Sequence, residues 1–199
     1  MDPSEAGQPH AWRLFVAIEL PEAVHRRVEQ VTAQLAGAGW RAKWVRPEGV
    51  HLTLKFYGNV AVERVDALSA ALAAAVSNHA PFTLRVSGPG VFPAPRRPRV
   101  LWLGLEGELD ALSALAGAVE RASVPLGFAA EERPFRPHIT VARVRPEQQA
   151  TISGLEDHFA RLAALPPIPF RVEHLALIRS QLRRDGPLYT AVRRFALKG

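Results

Sequence analysis

Apolar residues recur along this chain with two periods, and the switches between them mark out the elements. Leu14-Phe15-Val16-Ala17-Ile18 is apolar without a break and predicts a buried strand. Pro21 suits the first turn of a helix, and Val24, Val28, Val31 and Leu35 continue it at helical spacing until Gly37 and Gly39. Alternation returns at His51-Leu52-Thr53-Leu54 and predicts a strand to Tyr57, stopped by Gly58-Asn59 as a turn. A second helix is expected over 62–76, with Val62, Val65, Leu68, Leu72 and Val76 on one side. Strands are expected over 82–86 and 100–103, separated by Gly88-Pro89-Gly90 and a basic, Pro-stiffened loop over 92–99. A third helix covers 109–121, with Leu112, Leu115 and Val119 aligned. After a loop over 127–136, His138-Ile139-Thr140-Val141 begins another alternating strand, to Val144. A fourth helix is predicted over 147–165, carrying Ile152, Leu155, Phe159 and Leu162 and ended by Pro166-Pro167. Two strands, over 170–179 and 188–197, close the chain around Asp185-Gly186, a strong hairpin signal.

Strands and helices alternate, yet the closing hairpin requires antiparallel pairing, so the fold class is α+β. The two His-x-Thr stretches lie at corresponding places, each preceded and followed by a helix. The expected architecture is two similarly built lobes of antiparallel sheet, helices outside, facing a central groove with one motif each. Residues 1–11 read as a flexible, polar tail, and 12–199 as a single bilobal domain. No residue-by-residue repeat accompanies the pattern.

With 199 residues and 48% hydrophobic content the chain can bury a sizeable core. It contains no apolar run long enough for a membrane span. The first ten residues show no signal-peptide pattern and the chain has no Cys, so a cytoplasmic protein without disulfides or thiolate metal sites is expected, and with nothing that reads as a dedicated dimer helix, a monomer. The net charge is +6 and nearly all cations are Arg, Lys standing only at 43, 55 and 198. Guanidinium forks suit phosphate oxygens, but an Ala/Pro/Arg-rich composition explains the same excess, so charge alone decides nothing.

The motifs carry the chemistry. In a strand, i and i+2 share a face, so His51 with Thr53, and His138 with Thr140, stand over apolar neighbours turned the other way. For seven His and six Thr, chance gives roughly 0.2 such triplets, so two with the same apolar filling form a specific signal. The two strands are expected side by side, presenting paired imidazoles and hydroxyls to one cleft. Imidazole titrates near neutrality, so one ring can take a proton while the other gives one. Phosphodiester cleavage needs that pair, with hydroxyl and Arg donors on the non-bridging oxygens. Spacing does not say which His does which. A Zn site would want a third His or carboxylate, and only Glu48 stands near; no His-Glu-x-x-His, Gly-x-Ser-x-Gly or Walker loop occurs. No cofactor or metal is expected. His10, His25, His79, His158 and His174 read as surface or structural residues.

The paired motifs resemble those of the 2H phosphoesterase superfamily, and within it the bacterial RNA 2′,3′-cyclic phosphodiesterases, or 2′-5′ RNA ligase-like proteins. The resemblance extends to Arg13-Leu14-Phe15-Val16-Ala17-Ile18, Lys43-Trp44-Val45-Arg46-Pro47, the runs from His51 to Gly58 and from Pro137 to Arg143, Leu177-Ile178-Arg179-Ser180 and Gly186-Pro187-Leu188-Tyr189. Tyr57 replaces the usual Leu, at a position expected to be structural. The resemblance implies hydrolysis of a 2′,3′-cyclic phosphate to a 2′-phosphomonoester, with His51 as proton donor and His138 as proton acceptor. It also implies a weak ATP-independent 2′-5′ ligation in reverse. RNA ends with a cyclic phosphate, or small nucleotides, would be the partners. The alternative is an RNA- or nucleotide-binding module without physiological turnover; intact His and Thr in both motifs favour the enzyme.

Five further residues join the two histidines as candidates. Thr53 and Thr140 are the hydroxyl donors. Lys55 shares parity with Thr53 and is expected to line the groove. Arg143 is odd in parity relative to His138, so a regular strand points it away and a bulge re-aims it. Phe92, beside Arg96, Arg97 and Arg99, is either a base-stacking platform over a phosphate-binding loop or a core Phe beside a solvated one.

Overall fold

In the computed structural model, which describes residues 10–183 and 186–199, the two motif strands belong to different sheets rather than lying side by side. Strands β1 (Ala11–Glu19), β3 (His51–Ala61), β8 (His174–Arg183) and β9 (Gly186–Ala196) form one antiparallel sheet in the order β3-β1-β8-β9. Strands β2 (Lys43–Trp44), β4 (Phe82–Ala94), β5 (Arg97–Gly107), β6 (Ile139–Arg143) and β7 (Ile168–Val172) form a second, ordered β2-β6-β5-β4-β7. Each motif therefore has its own sheet, and β3 and β6 approach one another across the space between. The expected tail over 1–11 lies largely outside the described residues, but Ala11 already pairs with Ala61 as the first residue of β1.

The sheets do not follow the halves of the chain. The first joins the N-terminal strand to the C-terminal hairpin, because β1 lies between β3 and β8. The stretch expected as one strand over 170–179 is two, and the chain crosses between sheets at Glu173: Phe170 pairs with Leu84 of β4, whereas Leu175 pairs with Phe195 of β9. The helices exchange as well. Helix α1 (Glu22–Gly37) leaves the first sheet and contacts β6 of the second; α3 (Leu109–Ser123) leaves the second and contacts β3 of the first. Helix α2 (Val65–Val76) joins α3, and α4 (Leu155–Ala163) covers β4.

Burial explains these placements. Val24, Val28, Val31 and Leu35 of α1 are all buried, as their spacing predicts. Each such side chain contributes about 1.5–3 kcal/mol of burial, so α1 must cover a sheet wherever one offers a matching face. One continuous core runs through both lobes, from Leu14, Val16 and Ile18 to Leu101, Leu103 and Ile139. A smaller cluster of Phe15, Ala17, Ala176 and Ile178 lies on the other face of the first sheet.

Two expected stops are absorbed instead of ending an element. Gly58 adopts φ +69°, and a register shift beside it carries β3 on to Ala61. A shift between Val86 and Pro89 takes β4 through the Gly-Pro-Gly stretch, so the basic loop is the tip of a long β4–β5 hairpin. The closing hairpin pairs down to Arg183 with Gly186, and Arg184 and Asp185 lie outside the described residues. The fourth helix is shorter than its stripe implies. A 3-10 turn over Pro146–Thr151 comes first, and Gly154 at φ +60° separates it from α4.

Candidate active site

The cleft has two walls that can be read off the registers, since directly paired residues share a face. On the first sheet the rows are Glu19 with His51, Ala17 with Thr53, and Phe15 with Phe56. The His51 ring stacks on Phe15 at 4.5 Å and meets Tyr189 edge-on at 5.0 Å, so β1 and β9 hold an imidazole carried by β3. On the second sheet one row runs Thr140, Trp102, Gly90, and the next runs Lys43, Arg143, Val100, Phe92. His138 stands at the start of this wall, edge-on to Phe92 at 5.1 Å and 6.4 Å from Trp102. Trp102 lies flat over Gly90, where a Cβ would come within 2.1 Å of the indole.

Two bulges decide which neighbours of the motifs face the cleft. In β3, Val16 pairs with Lys55 but Ala17 pairs with Thr53, leaving Leu54 as the extra residue. Parity inverts there, so Lys55 turns inward and is not a groove residue. It is 7% exposed, with its ammonium 2.7 Å from Glu120 Oε2 and donating to the Ala129 carbonyl at 2.8 Å. Phe56 takes the cleft face instead, 63% exposed and 5.6 Å from Phe15. In β6 the same device follows the same Thr. Trp102 pairs with Thr140 and Leu101 with Ala142, so Val141 is extra and Arg143 arrives on the face of His138 and Thr140. The parity that spoke against Arg143 is cancelled by that inserted residue. Phe56 and Arg143 thus occupy equivalent places, five residues after each His.

Electrostatics join the walls. The Tyr189 hydroxyl is pushed up chiefly by burial, and the positive charges of Arg143 and Arg13 pull against that. Tyr189 belongs to the wall of His51 and Arg143 to the wall of His138, so the motifs flank one space. Burial lowers His51 to about 4, opposed by a hydrogen bond to the Gly49 backbone. The free protein therefore holds this ring neutral at pH 7. His138 Nδ1 lies 2.7 Å from the Arg136 carbonyl. A carbonyl only accepts, so Nδ1 carries a proton, and in the neutral ring Nε2 is the acceptor. Each imidazole is thus tied to the backbone two residues upstream. Thr53 and Thr140 are half-buried, with no protein partner for either hydroxyl among the described residues.

A small cavity of about 170 Å³ adjoins His51, lined by Glu19, His25, Glu48 and Tyr189 among others. Glu19 is held by Arg194 at 2.6 and 2.9 Å and by His174 at 3.2 Å. Among the described residues no three His, Cys, Asp or Glu side chains are grouped to hold a metal ion. Among the described residues no helix is long and apolar enough to cross a membrane. Four cleft residues escaped the sequence reading. Arg13 had a signal, its shared parity with Phe15 in β1. Phe56 and Tyr189 stand in runs that carry the family resemblance, but neither their faces nor that of Trp102 could be read locally, because bulges and distant pairings set them.

Comparison with known proteins gives consistent matches. The family model for the 2′-5′ RNA ligase superfamily matches residues 20–184. A Methanothermobacter thermautotrophicus protein named RNA 2′,3′-cyclic phosphodiesterase is 33% identical over 186 residues, 93% of this chain and 98% of the relative. The crystal structure of the Thermus thermophilus protein TT0787 superposes with a TM-score of 0.73 at 32% identity, covering 94% of this chain and 98% of that one. Escherichia coli LigT complexed with 3′-AMP superposes with a TM-score of 0.71 at 28% identity, covering 96% and 100%.

Proposed function

This chain belongs to the 2′-5′ RNA ligase superfamily, and from that premise we propose that it is an RNA 2′,3′-cyclic phosphodiesterase working by metal-free acid–base catalysis. Relatives at about 30% identity over most of the chain bear that name. The observation that carries the reading is Tyr189, which touches His51 and feels Arg143 from the wall of His138. A phosphoryl group between the walls would meet one imidazole on each side.

In the proposed reaction a water oxygen attacks phosphorus while His138 Nε2 takes its proton. The bond from phosphorus to the 3′ oxygen breaks, and His51 gives that oxygen a proton. The product is a 2′-phosphomonoester with a free 3′ hydroxyl, and the two rings exchange their extra proton through solvent. Charge building on the non-bridging oxygens is met by the Thr53 and Thr140 hydroxyls and by Arg143. Phe56 and Phe92, on opposite walls, offer ring faces to bases. With a 5′ hydroxyl in place of water, the same pair would open the cyclic phosphate onto it, a 2′-5′ ligation without ATP.

His51 must be charged to act as donor, and burial opposes that in the free protein. The substrate supplies the remedy. One phosphate charge at about 4 Å, with an effective dielectric of about 20, favours the imidazolium by about 4 kcal/mol, or about three pH units.

The test is an oligonucleotide ending in a 2′,3′-cyclic phosphate, incubated with chelator and followed by phosphorus NMR. A 2′-phosphomonoester is expected, with His51→Ala and His138→Ala each lowering the rate. Tight RNA binding without turnover would establish the binding-module alternative instead. Near-native rates in both alanine variants would remove these residues from the mechanism.

A further inference from the structure

We propose that Lys55 and Glu120 are positioning residues for His138, holding the loop that delivers it from the other lobe. The inference rests on the reading of His138 as the proton acceptor. Between the 3-10 turn Val124–Leu126 and β6 the chain has no helix or strand, yet it must place His138 opposite His51. Beyond the backbone bonds of Gly127 and Phe128 at its start, such an irregular segment needs side chains to take up its backbone groups.

Those side chains come from the first motif's strand and the helix packed against it. Lys55 Nζ donates to the Ala129 carbonyl at 2.8 Å and to Glu120 Oε2 at 2.7 Å. The other oxygen of Glu120 accepts the Glu131 amide at 2.9 Å. One ammonium and one carboxylate therefore fix two backbone groups of the loop, the Ala129 carbonyl and the Glu131 amide. Just upstream, Phe128 packs edge-on against Tyr57 at 4.8 Å, under the Arg64 guanidinium at 4.7 Å from the ring centroid. Arg64 also donates to the Leu126 carbonyl, and the Tyr57 hydroxyl pairs with Ser123 Oγ at 2.9 Å. At its far end the loop presents the Arg136 carbonyl to His138 Nδ1 at 2.7 Å, the contact that fixes the tautomer.

The bulge at Leu54 makes this possible. It turns Lys55 away from the cleft, so one strand carries His51 and Thr53 on one face and anchors the approach to His138 with the other. Lys55 is nearly enclosed and its charge is matched by a single carboxylate, so the pair is a fixed strut and not a surface ion pair. Removing either end frees backbone groups at 129 or 131 and lets the 136 carbonyl drift from the imidazole.

The variants are Lys55→Met, which keeps the stem, and Glu120→Gln, which keeps an acceptor for the Glu131 amide; Lys55→Arg is the conservative rescue. Two readouts separate positioning from stability: the His138 Nδ1–H proton resonance, which requires no activity, and kcat against KM on the cyclic phosphate. Expected are a broadened or lost Nδ1–H signal and a kcat lowered about 10- to 100-fold with KM nearly unchanged, both recovered in Lys55→Arg. Glu120→Gln should show the same pattern more weakly. A native Nδ1–H signal and native kcat in both variants, with only the melting temperature lowered, would overturn the proposal. If the native protein shows no turnover, the resonance alone decides, so failure of the strut and failure of the enzymatic reading are distinguishable.

Discussion

Proton uptake on ligand binding tests the chemistry at its weakest point, the neutral state of His51. Burial holds that ring at about 4, so at pH 6 only about 1% of free protein carries the charge a donor needs. A bound phosphodiester, whose charge favours the imidazolium by about three pH units, brings the ring to about 7, so about 90% is charged at the same pH. Binding should therefore take up nearly one proton per site between about pH 4 and pH 7, and affinity should weaken about tenfold per unit as pH rises through that window. Above about pH 7 the slope vanishes. A 2′-deoxynucleoside 3′-methylphosphate is a suitable probe, since it keeps one negative charge throughout and has no 2′ hydroxyl to react. Calorimetry in buffers of differing ionisation enthalpy gives the uptake directly, and His51→Gln isolates the share of this ring from those of His138, His25 and Glu48 nearby. Equal uptake by native and His51→Gln protein would refute the reasoning, and the donor would have to be sought elsewhere.

Three other outcomes follow from the same structure. Protonating His51 is opposed only in the folded state, so its stability contribution is full above about pH 6.5 and lost as pH falls through about 4, about 3 kcal/mol in all; in urea titrations the slope of stability with pH should differ between native and His51→Gln protein over that window and be the same above it. Arg143→Ala should raise KM or lower kcat with the fold intact by circular dichroism, whereas insertion of a residue beside Val141 should do comparable harm by turning Arg143 off the cleft. Gly90→Ala must displace the Trp102 indole, costing about 1–3 kcal/mol in denaturant unfolding and shifting the proton resonances of the adjacent His138 ring.

Local sequence determined much of this protein. Alternation placed His51 with Thr53 and His138 with Thr140 above apolar neighbours, because a strand has period two whatever it pairs with. The stripes of α1, α2 and α3 were equally legible, since a helix closes its own hydrogen bonds and needs only a face to bury. Tertiary structure decided what local rules leave open. Register and bulges belong to pairs of strands, so one extra residue after each Thr sent Lys55 inward and brought Arg143 and Phe56 to the cleft. The division at Glu173, with β7 in one sheet and β8 in the other, likewise depended on the strands each meets, β4 for β7 and β1 with β9 for β8. Two apolar strands in succession look alike in sequence. Only the partners about 90 or about 160 residues earlier assign them to different sheets.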